Sequence, residues 1–448
     1  MTVTETDADP TAGGGLPWHL RGNWAPVPDE LTTADLEVRG KLPAGLDGMY
    51  VRAGMNPRSG RSDHWFFGNG MLHGVEIHDG AARYRNRFVQ TPYLEHDMNV
   101  LDALADLTYS PANTNIVGHA GRMLALEEAH VPWQVDRNLD TLGPVDFDGR
   151  LTTPMTAHPK ICPETGEMLF FGYQMMGEPW LTNHRVDAAG RLVQSEVIDI
   201  PTPVMMHDFN ITRTRTVFMD LPITFALEQG GFAWEPGNGA RLGVMPRDGA
   251  DADIRWFEID PCYVFHPVNA HDDGDRVVLH VARFDRAMDA GMMGGRDREL
   301  PCLWRWTIDP ASGSVTEEQL DDRHADFCRV DDRLVGLPAS YGYLLELRDN
   351  PTTQEFGREV YRYDLRTGAC EVHDLGPTSH GGEPIFVPRS PDAAEDDGWV
   401  VLIAHDEADD RSRFVVIDGA DFTGAPVAEV LLPRRVPYGA HGNWFPGT

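Results

Sequence analysis

The 448-residue sequence predicts an all-β protein, a propeller of about seven blades, and three observations lead there. Short apolar or alternating runs rich in Val, Phe, Trp and Tyr recur between turn signals from the sixteenth residue onward. Forty-five Gly and 33 Pro punctuate these runs and leave little room for long helices. The length is the third observation. A single barrel of this size would need very long strands, whereas about seven blades of roughly 60 residues each account for it.

The elements follow in order. Residues 1–15, MTVTETDADPTAGGG, read as a flexible acidic tail, and residues 16–448 as one propeller domain. Strands are expected over Arg122–Leu126, Glu167–Gln174, Arg276–Ala282, Trp399–Ala404 and Phe414–Ile417. One turn chemistry recurs in CPETGEM, VDAAGRL, IDPASGSV, YDLRTGAC and IDGADFTG. In each, a strand ends at a turn former and the loop reaches a Gly able to take positive φ before the next strand. Only Asn99–Leu107 and Arg283–Arg296 could hold a short helix; the second, Gly-rich and Met-rich, reads as a lid, an apolar lip or an ordinary loop.

Composition removes several function classes. The chain carries 70 Asp+Glu against 38 Lys+Arg, a formal charge of −32, which repels phosphate backbones and excludes nucleic acid as a partner. Five scattered Cys without a CxxC pair give no disulfide framework and no cysteine-rich zinc site. No stretch of about 18 apolar residues occurs, and the start is not a secretory signal, so a cytoplasmic location is expected. No GxSxG, GxxxxGK[ST] or HExxH motif is present.

What remains is histidine, 18 in all. Fourteen sit in turn-like or polar settings that hydrogen bonding or solvent explains. Four lie in small-residue or apolar segments: His158 in TAHPK, His207 in VMMHDF, His266 in CYVFHPVNA and His441 in YGAHGNW. Their spacings are 49, 59 and 175 residues, which suits successive blades and then ring closure. Inner strands of a propeller face one axis, so four imidazoles could meet there and hold a metal. Four neutral nitrogens suit Fe, Zn, Cu or Ni, and structural zinc normally recruits thiolates.

At these residues the chain resembles the carotenoid cleavage oxygenase family. The resemblance runs from about Gly22 to the C-terminus, through GNWAPVPDE, DLEVRGKLPAGLDGMYVRAGMNP, HWFFGNGMLHGV, TAHPKICPETGEM, MMHDFNITRTRTVFMDLP, GGEPIFVPRSPDAAEDDGWVV and VPYGAHGNWFP. It implies a seven-bladed propeller with a small helical or loop cap over the metal face, and an axial iron(II), Fe(2+), held by His158, His207, His266 and His441. It further implies three carboxylates behind the ligands: Glu128, Glu383 and, where the family has Glu, Asp326. The shorter side chain predicts a stretched or water-bridged contact at that arm. Asn69 and Met55 also depart from the family pattern, as local turn variation.

The reaction implied is scission of a carbon–carbon double bond by dioxygen, giving two carbonyl products, with no catalytic residue beyond the iron centre. The protein's task is to place a long apolar chain, for which Trp65, Phe66 and Tyr93 are candidate walls. A branch of the family that cleaves stilbenes or phenylpropenes usually carries Lys immediately before the carboxylate that falls on Glu128; this chain has Glu127 there, which disfavours a phenolate. An apolar polyene, a carotenoid or apocarotenoid, is the preferred substrate, with stilbene or phenylpropene cleavage and a non-enzymatic scaffold as alternatives. Such a substrate implies loose peripheral membrane contact through an apolar patch that includes Met292 and Met293.

Overall fold

In the computed structural model, residues 16–226, 231–288, 299–349 and 354–447 are described. They form seven antiparallel sheets of four or more strands and one two-stranded ribbon. The first sheet combines Thr32–Thr33, Gly48–Met55, Gly70–His78 and Ala81–Phe88 with the C-terminal strand Gly442–Pro446. The next five follow as meanders over 115–144, 160–198, 210–259, 263–319 and 325–374, in which neighbours in sequence pair in space. The ribbon, Ile223–Ala226 with Gly231–Trp234, is inserted within the fourth sheet. The seventh sheet runs from Ser379 to Leu431 and takes Val38–Gly40 as its outermost strand.

Adjacent sheets pack face to face, and their contacts close a ring. Ile116 and Ala125 of the second sheet meet Val51 and Leu72 of the first, while Leu124 meets Phe170 of the third. The third to fifth sheets share one core through Phe171, Val217 and Leu279. Ala282 packs with Leu344 of the sixth, Leu345 with Leu402 of the seventh, and Val401 with Tyr50 and Val75 of the first. Period-2 alternation sends Trp399, Val401 and Ile403 to one neighbouring sheet and Val400, Leu402 and Ala404 to the other. Strands buried on both faces read as unbroken apolar runs, which is why Trp399–Ala404 shows no polar alternation.

Two chain-end pairings lock the ring. Gly442–Pro446 pairs with Gly48–Met55 in the first sheet, and Val38–Gly40 pairs with Ala428–Leu431 in the seventh. The ring is thus closed by segments nearly the whole chain apart.

The expected strands appear at Arg122–Leu126, Met168–Tyr173, Arg276–Phe284, Gly398–Asp406 and Arg411–Asp418. Four of the five turn glycines, Gly166, Gly190, Gly313 and Gly368, have positive φ. The fifth, Gly424, does not. There the chain leaves Arg411–Asp418 through a 3-10 turn, Gly419–Asp421, which Asp418 caps by accepting from the Ala420 N–H, so no left-handed residue is needed. Helical α structure among the described residues is limited to α1, Pro92–Glu95, and α2, Val100–Ala103. α2 falls within the stretch where a short helix was expected. Of the other candidate stretch, Met292 and Met293 lie outside the described residues. No helix among the described residues is long and apolar enough to cross a membrane.

Candidate metal centre

One edge strand of each sheet, with the loop leading into it, supplies the candidate residues, and several stand where the β-ladder is broken. His158 and His207 lie in the loops just before the short strands Lys160–Ile161 and Asn210–Ile211. His266 lies in Tyr263–Asp273 between Val264 and Pro267, where the register shifts. His441 directly precedes the closing strand Gly442–Pro446. Asp326 sits at a second register shift, between itself and Arg329. Glu383 occupies the gap between Ser379–His380 and Ile385–Pro388, which both pair with Gly398–Asp406. The second sheet is the exception: Glu128 follows its second strand, Arg122–Leu126. Interrupted ladders free these side chains from the alternating in-and-out pattern and re-aim them.

The four histidines converge. All are buried, and one nitrogen from each lies within 4.8 Å of the others. Ring centroids are 4.4 Å apart for His158 and His207, 4.6 Å for His158 and His441, and 4.6 Å for His266 and His441. Three rings are gripped from behind. His266 Nδ1 lies 2.9 Å from Asp326 Oδ1, His441 Nδ1 lies 2.8 Å from Glu383 Oε1, and His207 Nδ1 is paired with Glu128 Oε1. A carboxylate opposite Nδ1 sets the tautomer, placing the proton on Nδ1 and a lone pair on Nε2.

That tautomer leaves acceptors facing each other. His207 Nε2 and His266 Nε2 are 3.3 Å apart, and His158 Nε2 is buried with no hydrogen-bond partner. Converging lone pairs with no proton between them are unfavourable unless a cation sits among them. The donor set fits a divalent transition ion, and the three carboxylates offset its charge.

Electrostatics favour the neutral ligand form at two arms, His158 and His441. Burial, together with the neighbouring His207, His441 and His266, pushes His158 well below the usual imidazole range. Burial also outweighs the opposing pull of Glu383 and lowers His441. At His266, burial opposes protonation but the Asp326 carboxylate outweighs it and raises the ring. Glu383 stays ionised despite its burial because His441 and Arg329 hold it below the ordinary carboxylate range.

The Asp326 contact is direct, neither stretched nor water-bridged. Backbone supplies the reach that the missing methylene does not: after Asp326 the ladder shifts and Phe327 takes φ of 54°.

Several supporting groups were not legible from the motifs. Asp208 Oδ2 stands 3.8 Å from His158 Nδ1, too long for a hydrogen bond, and Lys160 Nζ holds Asp208 at 2.7 Å. Tyr173 donates its hydroxyl to Glu128 Oε2 at 2.7 Å. Arg329 donates to the Gly442 carbonyl at 3.0 Å and to Asn443 Oδ1 at 2.8 Å, with Glu383 Oε2 3.5 Å away, so it ties the sixth and seventh sheets to the closing strand. Phe327 lies against His266 and His441, with centroids at 5.2 and 5.5 Å. The adjacency of Asp208 to His207 in VMMHDF was the one available signal.

The three candidate wall residues separate. Trp65 joins an aromatic chain that reaches the histidines: Trp65 to Trp24 at 4.8 Å, Trp24 to Phe356 at 5.7 Å, Phe356 to Phe327 at 4.8 Å. Phe66 meets His64 edge-on and Trp65 at a tilt. Tyr93 is buried and donates its hydroxyl to the Phe67 carbonyl at 2.7 Å, beside a polar hollow that includes Asp63 and Asp97. Neither Phe66 nor Tyr93 is brought against the four histidines by the contacts it makes here. Glu127 is committed elsewhere. It accepts from His130 Nδ1 at 2.5 Å and from the Ala129 N–H, and His130 Nε2 in turn meets the Ala103 carbonyl of α2. The helical segment is therefore fastened to the loop that carries Glu128.

The chain is similar along nearly its whole length to known proteins. The family model described as retinal pigment epithelial membrane protein matches residues 24–446. A carotenoid cleavage oxygenase of Mycobacterium tuberculosis is 35% identical, covering 96% of this chain and 98% of that protein. A crystal structure of Pseudomonas brassicacearum lignostilbene dioxygenase superposes with a TM-score of 0.89 at 31% identity, over 97% of this chain and 100% of that one. Cobalt-substituted Synechocystis apocarotenoid oxygenase gives a TM-score of 0.84 at 26% identity, over 94% and 97%. The chain belongs to the retinal pigment epithelial membrane protein family, the carotenoid cleavage oxygenases.

Proposed function

We propose that this chain is a non-heme iron(II) oxygenase that cleaves a carbon–carbon double bond of an apolar polyene, a carotenoid or apocarotenoid, to two carbonyl products. One observation carries the proposal: four buried imidazoles turn their Nε2 atoms toward one point while carboxylates hold three of them at Nδ1. His158, His207, His266 and His441 would hold the ion, and Glu128, Asp326 and Glu383 would orient its ligands. Bound there, iron(II) would supply the open coordination positions at which dioxygen is activated.

The protein's own part is placement and exclusion of water. Phe327, Phe356, Trp24 and Trp65 give an apolar aromatic wall beside the histidines, suited to a conjugated hydrocarbon. Each atom of O2 ends in one carbonyl product, so the alkene carbons are the only atoms oxidised. The stilbene alternative is supported by the likeness to lignostilbene dioxygenase. It is opposed by Glu127, which is tied to His130 and offers no cation to a phenolate.

The reading also assigns dioxygen and a hydrophobic alkene as partners, in a cytoplasmic enzyme that touches membranes at its periphery. Leu101 and Leu104, at α2, are 69% and 37% exposed, and the Ala103 carbonyl of the same helix meets His130 of the Glu128 loop, which supports such contact.

The test is incubation of the iron-loaded enzyme with carotenoids, apocarotenoids and hydroxystilbenes under 18O2, with products identified by mass spectrometry. Labelled carbonyls from the polyenes, lost in His207→Ala, are expected. Aldehydes from stilbenes alone would move the assignment to the second reading. Turnover by iron-free His207→Ala would reject both.

A further inference from the structure

A second group of potential ligands lies apart from the four histidines. Glu355, His380 and Glu407 bring one nitrogen and two carboxylate oxygens within 4.8 Å of one another. Glu355 belongs to the strand Gln354–Asp364 of the sixth sheet. His380 ends the short first strand of the seventh, and Glu407 follows Gly398–Asp406 of the same sheet. The group therefore bridges two sheets.

His380 is 7% exposed and its orientation is fixed. Its Nδ1 lies 2.7 Å from the Phe356 carbonyl, an acceptor only, so Nδ1 carries a proton. Nε2 then presents a lone pair, and Glu407 Oε1 stands 3.1 Å from it. An imidazole whose Nδ1–H is held by a backbone carbonyl is the usual posture of a metal-ligating histidine. Lone pair and carboxylate face each other, so either a second proton or a cation must occupy the space between. With Glu355 the pair presents one imidazole nitrogen and two carboxylate oxygens to a single point, a donor set that fits a divalent cation.

The frame around the group is firm. The Glu407 N–H donates to the Thr378 carbonyl at 2.9 Å, and the Thr378 hydroxyl donates to Asp406 Oδ1 at 2.8 Å.

We propose that Glu355, His380 and Glu407 form a second metal site for a divalent cation of the zinc class, with water completing its coordination. It would clip the sixth sheet to the seventh three residues before Glu383. It is independent of the oxygenase assignment.

The test uses the full-length, iron-loaded protein. It is titrated with Zn2+ alone, with bound zinc and bound iron both measured after equilibrium dialysis. One zinc per chain beyond the iron is expected, with iron content unchanged. His380→Gln and Glu407→Gln should each raise the zinc dissociation constant by at least the roughly 10–100-fold that loss of a supporting group costs. Glu407 is 59% exposed at its side chain, so its variant tests the site without disturbing the core. No additional zinc, or zinc binding that survives either substitution, would overturn the proposal.

Discussion

His266 and Asp326, sixty residues apart on neighbouring sheets, meet Nδ1 to Oδ1 at 2.9 Å. The contact is nearly as short as the one between His441 and Glu383, at 2.8 Å, although Asp326 is the shorter acid. A direct bond of this kind orients the ring and raises its basicity. Asp326→Ala is therefore expected to weaken iron binding by about 10–100-fold, measured by competition with a chelator. Asp326→Glu is expected to gain nothing, because the backbone already closes the distance. Tighter iron in Asp326→Glu would show that the arm is strained after all.

Tyr173 tests whether Glu128 needs its own support. The Tyr173 hydroxyl is buried against Glu128 Oε2, so Tyr173→Phe leaves a carboxylate oxygen without that donor. A loss of about 1–3 kcal/mol in folding stability is expected from urea unfolding, with iron still bound. Unchanged stability would mean that solvent replaces the hydroxyl.

Ring closure and metal ligation can be separated at the C-terminus. His441→Ala removes one ligand but keeps Gly442–Pro446 paired with Gly48–Met55. It is expected to lose iron while unfolding in one cooperative thermal transition. Deleting Gly439–Thr448 removes both, and loss of that cooperative transition is expected in calorimetry. Iron retained by the truncated protein would contradict the placement of His441.

Two buried histidines outside the centre govern acid stability. Burial holds His184 at about 4, against 6.5 for a free imidazole. Burial likewise holds His280 at about 4. Their folded values lie below the unfolded ones, so the unfolded chain binds more protons between pH about 6.5 and about 4. Stability from these groups is fully present above that range and is lost as pH falls through it, on the order of 3 kcal/mol for each. Urea unfolding at pH 7, 5.5 and 4.5 should show this fall, and His184→Gln should flatten it. An unaltered pH slope in His184→Gln would contradict the assignment.

Much of this was legible in the sequence, and the reasons are local. Trp399–Ala404 announces a strand because its side chains are apolar on both faces, and Gly166 or Gly368 announces a turn because only Gly takes positive φ without strain. The four histidines stood out because imidazoles in apolar segments at blade-like spacing have few structural uses. Long-range geometry left no such trace. Lys160 reaches Asp208 across 48 residues, and Tyr173 reaches Glu128 across 45, through pairings that no local pattern encodes. Asp326 looked too short because side-chain length is written in the sequence, whereas the shifted ladder and the φ of Phe327 that bring it close are not. Phe66 and Tyr93 read as walls from their chemistry alone, and the contacts they make are to the turn around Phe67.

Anomalous diffraction at the iron edge, from crystals of the iron-loaded protein, addresses the centre most directly. A single strong peak bonded to Nε2 of His158, His207, His266 and His441 together is the expected result. A peak elsewhere, or one bonded to fewer than all four rings, would contradict the account.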